Sequence, residues 1–189
     1  LSRSQPTLGR WKTMRGEFEL VEGLDLHSSV IEEGVLTARS RVWIATADLK
    51  DMHIRSARGR GRPVLDAFDD LAACGVQFRV IHASLPSRPF RTTLERYERL
   101  LHGAMELQIC PRSHWKLVIV DDRFAYCGSA NFTGAGLGLK HEDKRNLELG
   151  VITRDHNVVS HLADKFDRFW MGAHCEQCRL RELCPDPIV

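Results

Sequence analysis

The sequence of 189 residues lacks any run of 18 or more consecutive apolar residues, and so it offers no segment suited to a transmembrane helix. It also has little net charge. Its 27 lysines and arginines nearly balance 25 aspartates and glutamates, and a charge of +2 favours no class of partner. The hydrophobic share of 43% supports a core, and the length suits a single domain. The chain begins with Leu1 instead of methionine, which leaves an N-terminal signal or anchor open.

One stretch carries six chemically distinctive residues at fixed spacing. It follows the pattern H-x-K-x4-D-x6-G-S-x-N, in which the specified residues are His114, Lys116, Asp121, Gly128, Ser129 and Asn131. At about one in twenty for each residue type, such a string arises by accident on the order of once in 10⁷ starting points. The spacing is therefore a property of this protein and not a chance match.

The residues around this motif predict two strands that bring its polar side chains together. The apolar run 116–120 predicts a buried strand, and 124–127 predicts the strand that returns after a tight turn. His114 and Lys116 lie two positions apart, so their side chains leave the same face. An imidazole, an ammonium, a hydroxyl and an amide then converge, and this set suits a phosphate diester. A histidine, with a pKa of about 6.5, serves as nucleophile or acid near neutrality.

The motif resembles the signature of the phospholipase D superfamily, whose members break or transfer phosphodiester bonds through a histidine. The match is complete in residue type and spacing, and the resemblance extends over about residues 25–172. It implies an α/β fold, a phospholipase D-like lobe with a mixed β-sheet flanked by helices on both faces. It further implies catalytic roles for His114, Lys116, Ser129 and Asn131, whereas Asp121 and Gly128 are expected to be structural members of the motif.

Only one copy of the motif is present, and this has a mechanistic consequence. The superfamily's chemistry uses two histidines, of which one attacks phosphorus to form a phosphohistidine and the other protonates the leaving oxygen. We therefore expect a homodimer in which a second His114 comes from the partner subunit. Catalysis is expected to need no divalent metal, because Lys116, Asn131 and their twofold mates hold the phosphate charge.

Glu148 precedes an apolar run that predicts another strand. In the single-motif nucleases that this chain resembles, a glutamate at the matching position accepts a hydrogen bond from the catalytic histidine. Glu148 takes that role by position, and a carboxylate on one ring nitrogen would fix the tautomer of His114. The alternative is a solvated residue at a strand end.

A basic segment suggests the substrate. Four arginines with interspersed glycines form a cationic stretch that can contact several phosphates in a row, namely Arg55, Arg58, Arg60 and Arg62. The alternatives are a solvated loop or a polybasic surface for anionic lipids. We expect a cytoplasmic nuclease that cleaves DNA or RNA, with single strands preferred. A lipid phosphodiesterase of the phospholipase D type and a non-catalytic nucleic-acid-binding subunit of a larger complex are the alternatives.

Three cysteines cluster near the C-terminus, with the spacing Cys175-x2-Cys178-x5-Cys184. A CxxC cluster in a cytosolic-type enzyme binds a metal more often than it forms disulfides. The trio resembles the iron–sulfur staple of RecB-like nucleases, which implies a [4Fe–4S] cluster. Zinc is the alternative, and the fourth ligand stays open between His174 and Cys110. The expected role of the metal is structural.

The pattern of the chain predicts three parts: an N-terminal arm over 1–24, a phospholipase D-like catalytic domain over 25–172 and a cysteine-rich metal-binding tail over 173–189. Within the domain, Ser29 and Glu32 form a candidate capping box for a first helix. Cys74, Cys110 and Cys127 are expected to be small buried core residues. The remaining predictions are helices at 29–39, 63–74, 92–101 and over the apolar stripe 158–170, and strands at 42–47, 76–81, 105–109 and 146–153.

Overall fold

The computed structural model describes residues 15–54, 61–141 and 143–188. The strands in this part of the chain are β1 (Glu19–Glu22), β2 (Arg41–Thr46), β3 (His53–Ile54), β4 (Arg62–Pro63), β5 (Gln77–His82), β6 (Met105–Ile109), β7 (Leu117–Val120), β8 (Phe124–Gly128) and β9 (Leu149–Thr153). The α-helices are α1 (Val64–Ala73), α2 (Arg88–Leu94) and α3 (His156–Trp170). Shorter helical turns span His27–Glu32, Val35–Thr37, Leu100–Ala104 and Arg181–Leu183.

Among the described residues, seven strands form one sheet in the order β1-β9-β8-β7-β2-β5-β6. β2, β5 and β6 are parallel to one another, whereas all other neighbours in this sheet are antiparallel. β3 and β4 pair separately as a short ribbon. The mixed sheet predicted from the sequence is therefore confirmed.

Helices cover both faces of this sheet, as expected. On one face, α1, α2 and the N-terminal helical turns pack against alternate strand residues, such as Ile44, Phe78 and Val118. On the other face, α3 packs Phe166 against Trp43 of β2, with ring centroids 5.1 Å apart. The alternation of side chains along β2 thus supplies both cores, which explains why nearly all of this strand is buried.

Two predicted helices differ from the observed ones. The expected capping box at Ser29 is wrong, because the helical turn already begins at His27 and has no side-chain cap. It does not continue to Arg39, because the backbone leaves the helical conformation at Gly34, where a β-carbon would overlap the carbonyl oxygen of Val30 and the ring of Phe124. The helix expected at 92–101 begins earlier, at Arg88, where the preceding serine hydroxyl accepts a hydrogen bond from a backbone N–H.

The expectation that Cys74 and Cys127 are buried is also wrong, since both residues are exposed. Cys74 ends α1 and is followed by Gly75 with φ of 92°. Cys127 lies on β8 where α3 leaves the sheet uncovered. No helix in the described ranges is long and apolar enough to cross a membrane.

Candidate active site

The polar residues of the motif meet at one edge of the sheet. β2 and β8 run in one direction, whereas β7 and β9 run in the other. The C-terminal ends of β2 and β8 therefore lie at the same edge as the N-terminal ends of β7 and β9. His114 and Lys116 precede β7, Ser129 and Asn131 follow β8, and Glu148 immediately precedes β9. Strand direction thus gathers residues that are up to 34 positions apart.

Lys116 is fixed by the sheet, whereas His114 is exposed ahead of it. The N–H of Gly128 donates to the carbonyl oxygen of Lys116 at 3.1 Å, which extends the β7–β8 ladder by one residue. The Lys116 Nζ atom donates to the carbonyl oxygen of His114 at 3.0 Å. Within the described part of the chain, the His114 imidazole has no hydrogen-bond partner. Its ring nitrogens are therefore available to a ligand or to a second subunit.

Ser129 and Glu148 form a connected pair. The Ser129 hydroxyl donates to Glu148 Oε2 and accepts from the N–H of Leu149 at 3.1 Å. The other carboxylate oxygen, Oε1, accepts from Nδ2 of Asn146 at 3.0 Å. Glu148 thus orients the hydroxyl of Ser129 in this single subunit. No contact between Glu148 and the His114 ring is found among the described residues, and the orienting role of Glu148 toward His114 stays a prediction.

Asn131 is held by the end of β2. Its Oδ1 atom accepts from the N–H of Ala47 at 3.1 Å, which leaves the Nδ2 donor directed to other partners. The fully buried Thr46 supports the same turn, because its hydroxyl accepts from the N–H of Phe132 at 2.9 Å. A β-carbon on Gly136 would overlap the carbonyl oxygen of Asn131. The loop can therefore close around Asn131 only with glycine at this position.

Asp121 accepts hydrogen bonds at the opposite end of β7. Its carboxylate receives the backbone N–H groups of Arg39, Ser40 and Arg41 at 3.0–3.1 Å, and the Ser40 hydroxyl at 2.8 Å. Partial burial by itself would raise the pKa of Asp121, but these hydrogen bonds outweigh it and hold the pKa below its ordinary value. Asp121 therefore ties the β7–β8 turn to the start of β2, the full length of a strand away from His114.

Gly128 and Gly150 leave space for the side chain of Tyr126. Gly128 lies directly opposite Gly150 on β9, and a β-carbon on Gly128 would come within 2.7 Å of the Gly150 Cα atom and would also meet the Tyr126 hydroxyl. A β-carbon on Gly150 would overlap the Tyr126 ring. The buried Tyr126 hydroxyl accepts from the N–H of Ala130 at 3.2 Å, and burial raises its pKa to about 12. The glycine pair thus makes room for a neutral phenol that fixes the Ser129–Asn131 turn.

Four supporting residues were missed from the sequence: Thr46, Tyr126, Asn146 and Gly150. A glycine inside a predicted strand signals a close approach of other groups, and Gly150 could have been found in this way. Thr46 and Tyr126 carry no such signal. Their contacts reach Phe132, just after the motif, and Ala130, between Ser129 and Asn131, and these contacts exist only in the folded chain.

The basic segment is described only in part. Arg55, Arg58 and Arg60 lie outside the described residues. Arg62 is paired with two carboxylates of α1, at 2.6 Å from Asp70 and 3.4 Å from Asp66. The guanidinium of Arg62 is therefore already neutralised within its own subunit.

An apolar patch flanks the site. Leu20, Cys127, Leu149 and Val151 occupy one face of strands β1, β8 and β9, since Val151 stands opposite both Leu20 and Cys127 in the register. Leu20 is 68% exposed and Leu149 is 50% exposed. α3 covers the same face over β2, β7 and the start of β8 but leaves this part open. We call these four residues the β1–β9 patch; it begins one residue after Glu148.

The cysteines of the C-terminal region also meet in the fold. Cys175, Cys178 and Cys184 line a cavity of about 220 Å³ together with Cys110 and His174. In the described residues, no group of three or more histidine, cysteine or acidic side chains is placed to hold a metal ion. The metal centre expected from the sequence is therefore left as a prediction.

A fold of this kind, with a histidine, a lysine and an asparagine gathered at one sheet edge, defines a phospholipase D-like domain. The family model described as "Cardiolipin synthase, PLD-like domain" matches residues 33–170, well over half of the chain. The chain belongs to this family. A search of the curated proteins finds none that matches.

Solved structures with the same fold include three with small sequence identity. NucT from Helicobacter pylori is 15% identical, with a TM-score of 0.58 over 82% of this chain and 95% of that chain. Nuc from Salmonella typhimurium, a phospholipase D family member, is 15% identical, with a TM-score of 0.56 over the same shares. The archaeal chromatin protein TrmBL2 is 17% identical, with a TM-score of 0.53 over 82% of this chain and 52% of that chain. At these identities the likeness is one of fold.

Proposed function

We propose that this protein is a metal-independent phosphodiesterase that cleaves DNA or RNA, with single strands preferred, at a homodimer interface. One observation carries the proposal: His114, Lys116, Ser129 and Asn131 all reach one edge of the sheet. An exposed imidazole stands there beside an ammonium and an amide whose oxygen is already bonded to the backbone. These donors suit the charge of a phosphate diester.

The reaction proceeds in two displacements. A ring nitrogen of His114 attacks phosphorus and forms a P–N bond, while the P–O bond to the leaving nucleoside breaks. His114 of the partner subunit donates a proton to that leaving oxygen. The same partner imidazole, now neutral, takes a proton from water, whose oxygen displaces the first imidazole from phosphorus. Lys116 and Asn131 bind the non-bridging oxygens throughout, and both histidines return to their starting states.

Two features support a twofold dimer. The chain holds one copy of the motif, so that the two-histidine reaction needs a second subunit. The β1–β9 patch lies next to Glu148, and its exposed leucines are the kind of surface that a symmetric contact buries. We propose that the dimer contact buries this patch and that the two subunits share one site.

A nucleic acid is favoured over a lipid as the substrate. TrmBL2 is a chromatin protein with a novel mode of DNA binding, and two other structural neighbours bear the names Nuc and NucT. Against this stands the family description, which names a cardiolipin synthase and thus favours a lipid phosphodiesterase as the second candidate. The segment with Arg55, Arg58 and Arg60 suits several phosphates in a row.

A cleavage assay in EDTA tests the activity. The protein is incubated with labelled single-stranded DNA and RNA, beside the variants His114→Ala and His102→Ala; His102 is an exposed histidine in the turn before β6. We expect cleavage by the wild type and by His102→Ala, and a loss of at least about 10³-fold in His114→Ala. A lack of cleavage together with headgroup release from phosphatidyl vesicles would transfer the proposal to a lipid enzyme. Binding of DNA without either activity would favour the non-catalytic subunit.

A mixing experiment tests the shared site. Wild-type chains are co-expressed with an excess of His114→Ala chains, and we expect mixed dimers with one histidine to be inactive. The matched control carries His114→Ala together with Leu149→Asp, which should prevent dimer formation and leave wild-type activity intact. Leu101→Asp, at an exposed leucine away from the patch, controls for added charge. A fully active monomer would contradict the proposal.

A further inference from the structure

The strongest feature outside the motif is the cavity of about 220 Å³ between the β6–β7 connection and the C-terminal residues. We propose that Cys110, Cys175, Cys178 and Cys184 form a four-thiolate metal centre in this cavity. The centre would fasten the C-terminal residues to the segment that carries His114. Its position near His114 matters only through the proposed function, whereas its existence does not depend on that function.

The residues from 171 to 188 need such a fastening. None of them is buried, although the structure places every one of them. They are held to the domain by a few polar contacts, such as the Asp186 carboxylate, which accepts from the N–H of Ile109 at 3.1 Å. A bound metal contributes folding free energy directly to a segment that has no core of its own. A metal bound by the three cysteines would therefore hold these residues to the domain.

Cys110, and not His174, is the fourth ligand that the fold provides. Cys110 is far from the other three cysteines in sequence, yet it lines the same cavity as all three of them. His174 instead packs against the ring of Phe169, with centroids 5.8 Å apart. Arg112 donates to Cys178 Sγ at 3.4 Å, which is the type of contact that stabilises a thiolate.

All four cysteines line the same cavity. A single zinc ion requires all four sulfur atoms at about 2.3 Å from one position. As placed, no three ligating side chains in the described ranges share such a position. A [4Fe–4S] cluster distributes its four irons over a larger body, and each iron takes one cysteine. The geometry therefore favours the cluster over zinc, and both are thiophilic centres that the same four residues can hold.

The centre would restrain the residues immediately before and after His114. The N–H of Ser113 donates to the carbonyl oxygen of Cys110 at 2.8 Å, so that a tight turn links the fourth ligand to the histidine. Trp115 lines the same cavity and packs on Phe169, with ring centroids 4.9 Å apart. Loss of the metal would thus loosen the residues immediately before and after His114.

Metal analysis of anaerobically purified protein tests the proposal without any activity measurement. We expect about four irons and four sulfides per chain, with the brown absorption of thiolate-bound iron. About one zinc per chain instead would retain the four-thiolate centre and overturn its assignment as a cluster. Less than about a tenth of either amount, after expression with both metals supplied, would overturn the centre altogether.

Variants identify the ligands. Cys110→Ser should lose most of the metal, whereas Cys74→Ser, at an exposed cysteine directly after α1, and His174→Ala should keep it. Retention of metal by Cys110→Ser with loss in His174→Ala would refute the choice of ligand. Because Cys110→Ser could unfold, chelator-stripped wild type serves as the second measurement. Stripping should expose residues 171–188 to protease while the sheet keeps its hydrogen-exchange protection, and unchanged protease resistance would count against the fastening role.

Discussion

Asp121 offers a clear separation of structural from catalytic roles within the motif. In the Asp121→Asn variant, the remaining carbonyl oxygen can still accept from Ser40 and Arg41. The new NH₂ group, however, replaces Oδ2, which now accepts from the N–H of Arg39 at 3.1 Å and from the Nε–H of Arg123 at 3.3 Å. Two hydrogen bonds to a charged acceptor are therefore lost, and donor faces donor.

The magnitude follows from these contacts. Each hydrogen bond to a charged group contributes about 1.5–3 kcal/mol, and the lower end applies because the side chain retains 13% exposure. We expect the free energy of unfolding to fall by about 2–3 kcal/mol, with Tm lower by about 4–12 °C for a domain of this size. The matched control is Asp122→Asn. Its carboxylate pairs with Arg41 but is 61% exposed, so that its loss should cost under about 1 kcal/mol.

The pH dependence supplies a second check. The folded-state pKa of Asp121 lies below its ordinary value of 3.8, so its stabilising contribution is present above that value and is lost as pH falls through the folded pKa. Urea unfolding at a series of pH values should show a constant difference between wild type and Asp121→Asn from pH 7 to about 5, which then narrows below about 4. If wild type and Asp121→Asn had equal stability, and cleavage were lost only in Asp121→Asn, the structural role would be refuted.

Three further predictions concern the residues around the motif. Gly150→Ala should lower the free energy of unfolding by about 1–3 kcal/mol, since the new methyl group meets the Tyr126 ring; a smaller loss in the Tyr126→Leu background, by chemical denaturation, would verify the cause. Thr46→Val should cost about 1–3 kcal/mol and reduce kcat for cleavage through misplacement of Asn131; unchanged kcat would contradict this. Arg62→Ala should change DNA affinity less than about twofold at fixed salt, because two aspartates of α1 already hold the guanidinium; a larger loss would show that it contacts phosphate.

The sequence was informative wherever a pattern is local. The alternating and continuous apolar runs predicted β2, β5, β6, β7 and β8 to within a residue or two. The burial of a strand determines which of its consecutive residues are apolar, so it can be recognised from a short stretch of sequence. The Pro63 start and Gly75 end of α1 were predicted for the same reason. The first helix was wrong because it is interrupted at Gly34, which lies against the ring of Phe124, a residue remote in the chain.

The site divides in the same way. Residue types and spacing alone predicted that His114, Lys116, Ser129 and Asn131 act together on a phosphate, since the chemistry needs those groups and chance does not supply the string. Only the tertiary structure decided what holds them. Thr46 reaches the Asn131 turn, Glu148 accepts from the Ser129 hydroxyl, and Cys110 lines one cavity with the C-terminal cysteines. Strand order and direction bring together these residues, which are remote in the chain.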